Sequence, residues 1–334
     1  MSVHTEDEAE AGVGDREGRW RVWVGAILWA AVVPFGGWAG LRASGWEPAF
    51  LWKQLVAFTP YVAALSLIVL VATLVLRQWW TCLVAMVAVG VLASAVIPRM
   101  VPDGNPAVAG PRMRVLAANL MAGSAPAEVL VSLARRERPD VLALQEVTPE
   151  AVVALDEAGL EPLLPHRVLR PRPGVTGSAL YARFPLREQP MIDIHFGQAR
   201  ATLEVPGAPP VEVVSVHPCA PSASSRAWCW KAGLRALPRA DVRGPVRILA
   251  GDFNATLDHA ELRRLTSSGY RDAAAVVGDG LRPTWPAGWP SWVPPVVLDH
   301  VLADKRVAVR SFDIHELPRT DHRPVSADIV LPRR

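Results

Sequence analysis

Residues Val246 to Leu257 read V-R-I-L-A-G-D-F-N-A-T-L, and the rest of the chain can be placed around them. The apolar run Val246, Ile248, Leu249, Ala250, closed by Gly251, has the length and branching of a buried strand. Asp252 and Asn254 follow where the chain leaves that strand. A carboxylate and an amide two residues apart at a strand exit suit a phosphate oxygen and a divalent cation. The Asp brings hard anionic oxygen, and the Asn donates or accepts without adding charge. The same pair also makes an ordinary Asx-turn, so its meaning depends on the strands around it.

From Arg112 to the C-terminus short apolar runs alternate with turns and a few helical stretches. Arg114–Ala118 reads as a strand ending at Asn119, a helix follows with Val129, Leu130, Leu133 and Ala134 on its buried face, and Val141–Leu144 is a second strand delivering Gln145 and Glu146. That order is a β-α-β unit. Further strands are predicted at 178–181, 201–205, 211–216, 246–250, 296–302, 307–314 and 325–330, with helices around 225–237 and 259–267. The expectation is a mixed α/β domain over residues 112–334.

The N-terminal third is different in kind. The chain is 334 residues long and 51% hydrophobic, and the apolar excess lies before residue 98. Residues 1–19 are polar and of mixed charge, which predicts a disordered tail. Val22–Leu41, Gln54–Leu76 and Gln78–Ile97 are uncharged and each long enough to cross about 30 Å of hydrocarbon as a helix. They predict three transmembrane helices within residues 20–97, anchored in the lipid bilayer, with Pro34 and Pro60 kinking their helices. Trp23, Trp38, Trp52, Trp79 and Trp80 fall near segment ends, as an aromatic belt does. The first stretch is too long, and followed by too many others, to be a cleaved signal peptide. Arg16, Arg19, Arg21 and Arg77 on one side outweigh Arg42, Lys53 and Arg99 on the other. This small bias puts the N-terminus in the cytoplasm and the C-terminal domain outside it, as a multi-pass protein of the cell membrane. Residues 98–111 (P-R-M-V-P-D-G-N-P-A-V-A-G-P) have no helical or strand period and read as a linker.

Charge names no partner. The formal net charge is +3, and the only lysines are Lys53, Lys231 and Lys305, so no lysine-rich nucleic-acid tail is present. Nothing points to an obligate protein partner. Cys219 and Cys229, ten apart in a Ser/Ala/Pro/Trp-rich loop, are a disulfide candidate for an oxidising compartment, with two free thiols as the alternative.

Five predicted strands end in polar groups: Asn119, Glu146, His217, Asp252 with Asn254, and Asp299 with His300; Asp321-His322 precedes the last strand. The ordered set N-L (119–120), Q-E (145–146), S-V-H (215–217), G-D-F-N (251–254), L-D-H-V (298–301) and T-D-H-R-P-V (320–325) resembles the endonuclease/exonuclease/phosphatase superfamily. That group includes DNase I-like nucleases, abasic-site endonucleases, sphingomyelinases and inositol-polyphosphate phosphatases. The resemblance spans Arg112 to Leu331. It implies a four-layer α/β sandwich, two packed mixed β-sheets flanked by helices, here preceded by three transmembrane helices, with a site on one rim of the sheets.

Carried over by position, the resemblance implies that Glu146, with Asn119 and Asp321, holds Mg²⁺ or Mn²⁺. Asp252 positions or deprotonates the attacking water and Asn254 holds a phosphate oxygen. His217 and His322 stabilise the charge at phosphorus, and Asp299 orients His322. Tyr181 and Arg183, in G-S-A-L-Y-A-R-F-P-L, resemble a family segment near the site. Trp285, in a Pro-Trp loop with Trp289 and Trp292, is a candidate substrate-facing aromatic. His300 alternates to the other face of its strand and is expected to be structural. The implied activity is metal-dependent hydrolysis of a phosphodiester, in nucleic acid or a phospholipid head group. A catalytically silent binding domain displayed on a membrane is the alternative.

Overall fold

Along β1 (Arg112–Asn119) and β10 (Val246–Asp252) successive side chains go to opposite faces, and both faces are covered. Val115, Ala117, Ile248 and Ala250 belong to one buried cluster, Leu116 and Ala118 to a second, and Leu249 to a third. A strand buried on both faces must lie inside a layered stack. That is the arrangement of the computed structural model, which describes residues 4–288 and 292–334, with side chains from Arg19 onward.

The other strands are β2 (Val141–Gln145), β3 (His166–Arg170), β4 (Ser178–Ala182), β5 (Leu186–Glu188), β6 (Ile192–Ile194), β7 (Phe196–Gln198), β8 (Arg200–Leu203), β9 (Val211–Val216), β11 (Tyr270–Asp272), β12 (Asp299–Asp304), β13 (Ala308–Ile314) and β14 (Val325–Val330). One six-stranded sheet has the order β13-β14-β1-β2-β4-β3 and the other β11-β12-β10-β9-β8-β5, with β6–β7 a small separate ribbon. The pairs β1–β2 and β9–β10 are parallel and their sheet neighbours antiparallel, so both sheets are mixed. Between the sheets lie small and β-branched residues such as Val115, Ala143, Val213, Ile248 and Val301. Outside the first sheet, α5 (Ala127–Glu137) and α6 (Pro149–Glu157) cover Leu116, Leu142 and Leu144 with Leu130, Leu133 and Leu155. Outside the second, α7 (Ala227–Ala236) and α8 (Ala260–Thr266) cover Val214 and Leu249 with Trp230, Leu234 and Leu262. The expected four-layer α/β sandwich is present.

The long apolar helices of the N-terminal third form a compact unit, Met1–Trp46 with Thr59–Val96. It consists of α1 (His4–Ser44), α3 (Thr59–Val75) and α4 (Trp79–Val96). Three stretches, Arg19–Ser44, Phe50–Val75 and Trp79–Arg99, are long and apolar enough to cross a membrane. Small residues face inward, with Ala39, Ala88 and Leu92 in a common cluster. Ile27, Ile68, Val71 and Val87 are exposed, which is inside-out for water and ordinary for lipid. Two expectations change. Helix α1 begins at His4, so residues 4–19 are helical rather than a disordered tail; their Glu, Ala and Arg are good helix formers. Residues 1–3 lie outside the described residues. Pro60 occupies the first turn of α3, where no amide is needed, and does not kink the helix interior as expected.

The second compact unit is Glu47–Phe58 with Ile97–Arg334. It therefore contains α2 (Phe50–Leu55) and the 98–111 stretch as well as the sandwich. That stretch has no regular structure, but it is pinned: Asp103 N donates to Val276 O at 2.8 Å and Asn105 Nδ2 to Val309 O at 2.7 Å. Its prolines and glycines fit it to a surface rather than free it.

Candidate active site

The ends of β1, β2, β9, β10 and β12, with the turn before β14, meet on one rim of the sandwich. Under that rim the two sheets touch through polar groups: Gln145 Nε2 donates to Ser215 Oγ at 2.9 Å. A Cβ on Gly251 would lie 2.6 Å from Gln145 Nε2 and 2.4 Å from Val216 O, and Gly251 has φ +141°. Only glycine serves there, which explains the G in G-D-F-N.

Asn119 joins two carboxylates. Its Nδ2 donates to Glu146 Oε1 and to Asp252 Oδ2, each at 3.1 Å, while its Oδ1 accepts from Met121 N at 2.9 Å. Asn119 thus orients the carboxylate on either side of it. Glu146 Oε2 accepts from Ala122 N at 2.7 Å. Glu146 and Asn254 both lie at positive φ, 59° and 48°. Such backbone persists in non-glycine residues where surrounding bonds hold it.

On the other side, His322 Nδ1 lies 2.8 Å from Asp299 Oδ2 and its Nε2 3.5 Å from Asp252 Oδ2. Burial works against charge on this imidazole, but the Asp299 and Asp252 carboxylates outweigh it and push it up to about 10. Burial pushes the Asp252 carboxyl up to about 7, against the pull of His322. His217 is the opposite case: burial, with help from the His322 charge, holds it down near about 3, so it is neutral. Its Nε2 is 3.6 Å from Glu146 Oε1 and 3.7 Å from Asp252 Oδ2. Asn254 N donates to Asp252 Oδ1 at 2.7 Å, its Nδ2 to Pro218 O at 3.1 Å, and its own O accepts from Trp230 Nε1 at 2.9 Å.

Burial raises the Glu146 carboxyl, against the hydrogen bonds from Asn119 and Ala122 and the His322 charge, with a smaller upward push from Asp321. Asp252, Asp299 and His322 bring ligand atoms within 4.8 Å of one another. Within that trio Asp299 holds His322 Nδ1, which leaves Nε2 facing the Asp252 carboxylate.

Trp285 does reach the site: its Nε1 donates to Asp321 Oδ2 at 2.9 Å. Trp292 is exposed, and Trp289 lies outside the described residues. Tyr181 and Arg183 do not reach it. Strand β4 runs antiparallel to β2, so Ser178 sits beside Gln145 at the rim while Tyr181 pairs with Leu142 further down. Tyr181 is buried in the helix-side core, and Arg183 pairs with Asp140 at 3.2 Å near the opposite end. Cys219 and Cys229 are disulfide-bonded, with Cα atoms 5.8 Å apart. His300 is structural as expected: Nδ1 is 2.8 Å from Asp272 Oδ2 and Nε2 2.9 Å from Ala255 O.

Supporting hydroxyls and amides escaped the sequence reading. Thr284 Oγ1 accepts from Asp299 N at 3.1 Å, and Thr320 Oγ1 donates to Asn119 O at 3.0 Å and accepts from His322 N at 3.2 Å. Gln198 Oε1 accepts from His217 N at 3.1 Å. Only the nearness of Thr320 to Asp321-His322 hinted at any of them.

The family profile described as the endonuclease/exonuclease/phosphatase family matches residues 116–322. The chain belongs to that family, whose members are usually hydrolases acting on phosphoesters. Solved structures agree on the fold. An endonuclease/exonuclease/phosphatase from Beutenbergia cavernae is 19% identical, with a TM-score of 0.52 over 66% of this chain and 72% of that one. A humanised TDP2 from D. rerio is 17% identical, with a TM-score of 0.52 over 65% and 98%. An AP endonuclease from Archaeoglobus fulgidus is 14% identical, with a TM-score of 0.53 over 64% and 98%. No curated protein matches the chain by sequence.

Proposed function

We propose that this chain is a membrane-anchored, divalent-metal-dependent phosphodiesterase whose catalytic unit faces away from the cytoplasm. The observation that carries the reading is the line Asp299, His322, Asp252, a charged imidazole between two buried carboxylates at the same rim as Glu146 and Asn254. Asp252, poised near neutrality by burial, takes the proton of an attacking water held at its Oδ2. His322, kept charged by Asp299, donates from Nε2 to a nonbridging phosphate oxygen as negative charge gathers there. His217, neutral, offers its Nε2 hydrogen to the same group. Asn254 binds a further phosphate oxygen through its side-chain amide, fixed in place by Trp230 and Pro218.

Glu146 and Asp321 would hold Mg²⁺ or Mn²⁺, which supplies charge neutralisation at the phosphoryl group and the leaving oxygen. Asn119 and the Ala122 amide fix the Glu146 carboxylate for that task, and Trp285 fixes Asp321.

For orientation, Arg99 is drawn into a buried pair with Asp258 and leaves the outer flank only Arg42 and Lys53. The bias of Arg16, Arg19, Arg21 and Arg77 toward the cytoplasm is thereby larger than the sequence count. The Cys219–Cys229 bridge fits an oxidising compartment. The substrate is a phosphodiester of nucleic acid or of a lipid or envelope head group. The test is hydrolysis by the full chain of DNA, RNA, phospholipid and sugar-phosphate diesters with Mg²⁺ or Mn²⁺, beside Asp252→Asn.

A further inference from the structure

Residues Glu47–Phe58 run from the link after Arg19–Ser44 into the start of the Phe50–Val75 stretch, and they belong to the same compact unit as the phosphoester rim. Glu47 Oε1 accepts from Ala260 N, the first amide of α8, at 2.8 Å. Lys53 O is 2.7 Å from His259 Nε2, and Gln54 Nε2 donates to Pro221 O at 3.1 Å. Trp52, between Glu47 and Lys53 in the chain, is also buried. At the end of the last apolar stretch, Trp79–Arg99, Arg99 bonds both oxygens of Asp258, at 2.8 and 2.6 Å, with both side chains buried.

These contacts converge on two loops. Asp258, His259 and Ala260 end the loop that begins with Asp252 and Asn254, and Pro221 lies on the loop that begins with His217. Burial keeps His259 below the usual histidine range and so neutral. A neutral ring donates from Nε2 to Lys53 O and accepts at Nδ1 from Thr256 N, 2.9 Å away. Asp258 N in turn donates to Thr256 Oγ1 at 3.2 Å. The hold is passed back to within two residues of Asn254, whose left-handed backbone depends on its surroundings. Asn254 then joins the two loops through its bond to Pro218 O.

We propose that Glu47, Gln54 and Arg99 are positioning residues of the phosphoester site. Residues Glu47–Phe58 set the Asp252–Ala260 loop against the His217–Pro221 loop, with Arg99 holding Asp258, and so belong to the site's scaffold. This rests on the reading of Asp252, Asn254 and His217 as working groups. A misplacement of such groups by about 1 Å costs on the order of a hundredfold in rate, so small slackening here is measurable.

The experiment uses the full chain in detergent micelles and compares wild type with Glu47→Ala, Gln54→Ala, Arg99→Met and Glu47→Gln. Two quantities are read: steady-state hydrolysis of the best diester, and hydrogen exchange of the 254–260 amides. The Ala and Met variants are expected to lose about tenfold in kcat with KM and half-saturating Mg²⁺ unchanged. Exchange at 254–260 should rise about fivefold, as for one lost hydrogen bond. Glu47→Gln keeps the acceptor and should restore both. Unchanged kcat and exchange in Glu47→Ala and Gln54→Ala would overturn the proposal, as would a Glu47→Gln variant as impaired as Glu47→Ala. Should Arg99→Met not fold, the other two variants decide. If wild type cleaves no diester, the functional reading fails by itself. The exchange measurement then judges the clamp, faster exchange upholding it and unchanged exchange overturning it.

Discussion

His322 Nδ1 lies 2.8 Å from Asp299 Oδ2, with both groups buried, while the other ring nitrogen faces Asp252 Oδ2 at 3.5 Å. The carboxylate behind the ring fixes which nitrogen points at the reacting group and keeps the ring charged. Replacing Asp299 with Asn preserves the shape and removes the charge. We expect kcat to fall by about a hundredfold or more with little change in KM, and the melting temperature to drop at neutral pH because the charged ring loses its carboxylate. Steady-state kinetics of Asp299→Asn beside its melting curve check this.

The pH dependence of kcat/KM follows from the same pair. Asp252, pushed up to about 7 by burial, must lose its proton to act as base, so activity rises through neutrality. His322, held up to about 10 by Asp299 and Asp252 against its burial, must keep its proton, so activity falls in alkali. The two limbs belong to the coupled pair rather than to single residues, and a divalent cation beside them moves both downward. In Asp299→Asn the alkaline limb should shift to lower pH, which a profile from pH 5 to 11 will reveal.

His300 carries a stability signature separate from catalysis. Burial opposes its charge, but the hydrogen bond and charge of Asp272 outweigh that and raise it above the usual histidine range. A raised histidine contributes stability that is complete below its unfolded value, about 6.5, and is lost as pH rises through the folded value. The melting temperature should therefore decline above neutrality, and this component should vanish in His300→Asn. Asp272→Ala, which strands a buried imidazole without its acid, should cost about 3–5 kcal/mol.

The Cys219–Cys229 bridge closes a short loop between two site elements, since Pro218 and Trp230 at its ends both hold Asn254. Such a loop is worth about 3 kcal/mol of chain entropy. Reduction, or Cys219→Ser with Cys229→Ser, should lower the melting temperature and leave a fold intact. In cells, the same pair should resist thiol labelling until a reductant is added. Labelling without reductant would place the domain on the cytoplasmic side.

The sequence was most legible where chemistry and position coincide. Glu146, His217, Asp252, Asn254 and Asp299 each end or follow an apolar run and His322 sits just before one, so a strand and a polar tip could be read together, and these residues do converge on one rim. Tyr181 and Arg183 misled because G-S-A-L-Y-A-R-F-P-L shows a strand without its direction. Antiparallel pairing brings Ser178, not Tyr181, to the rim. The bonds of Thr284, Thr320 and Gln198 could not be read, although Thr320 opens the T-D-H-R-P-V motif, because a hydroxyl or amide that holds a backbone group looks like any loop residue until the loop is folded. The boundary near Arg112 followed composition, but Glu47, Gln54 and Arg99 bind loops some 160 residues or more away, at Pro221, Asp258 and Ala260. Pairings across that separation leave no periodic trace.

The central claim is that the rim hydrolyses a phosphodiester with a divalent ion. The most direct measurement is Mg²⁺- or Mn²⁺-dependent cleavage of the diester panel by the purified full chain, with Asp252→Asn as its matched control. The account predicts cleavage of at least one diester, abolished by chelation, and lower by about a hundredfold or more in Asp252→Asn at unchanged melting temperature. Cleavage that survives Asp252→Asn, or a folded wild type that cleaves none of the panel with either ion, would contradict it and favour a silent binding domain.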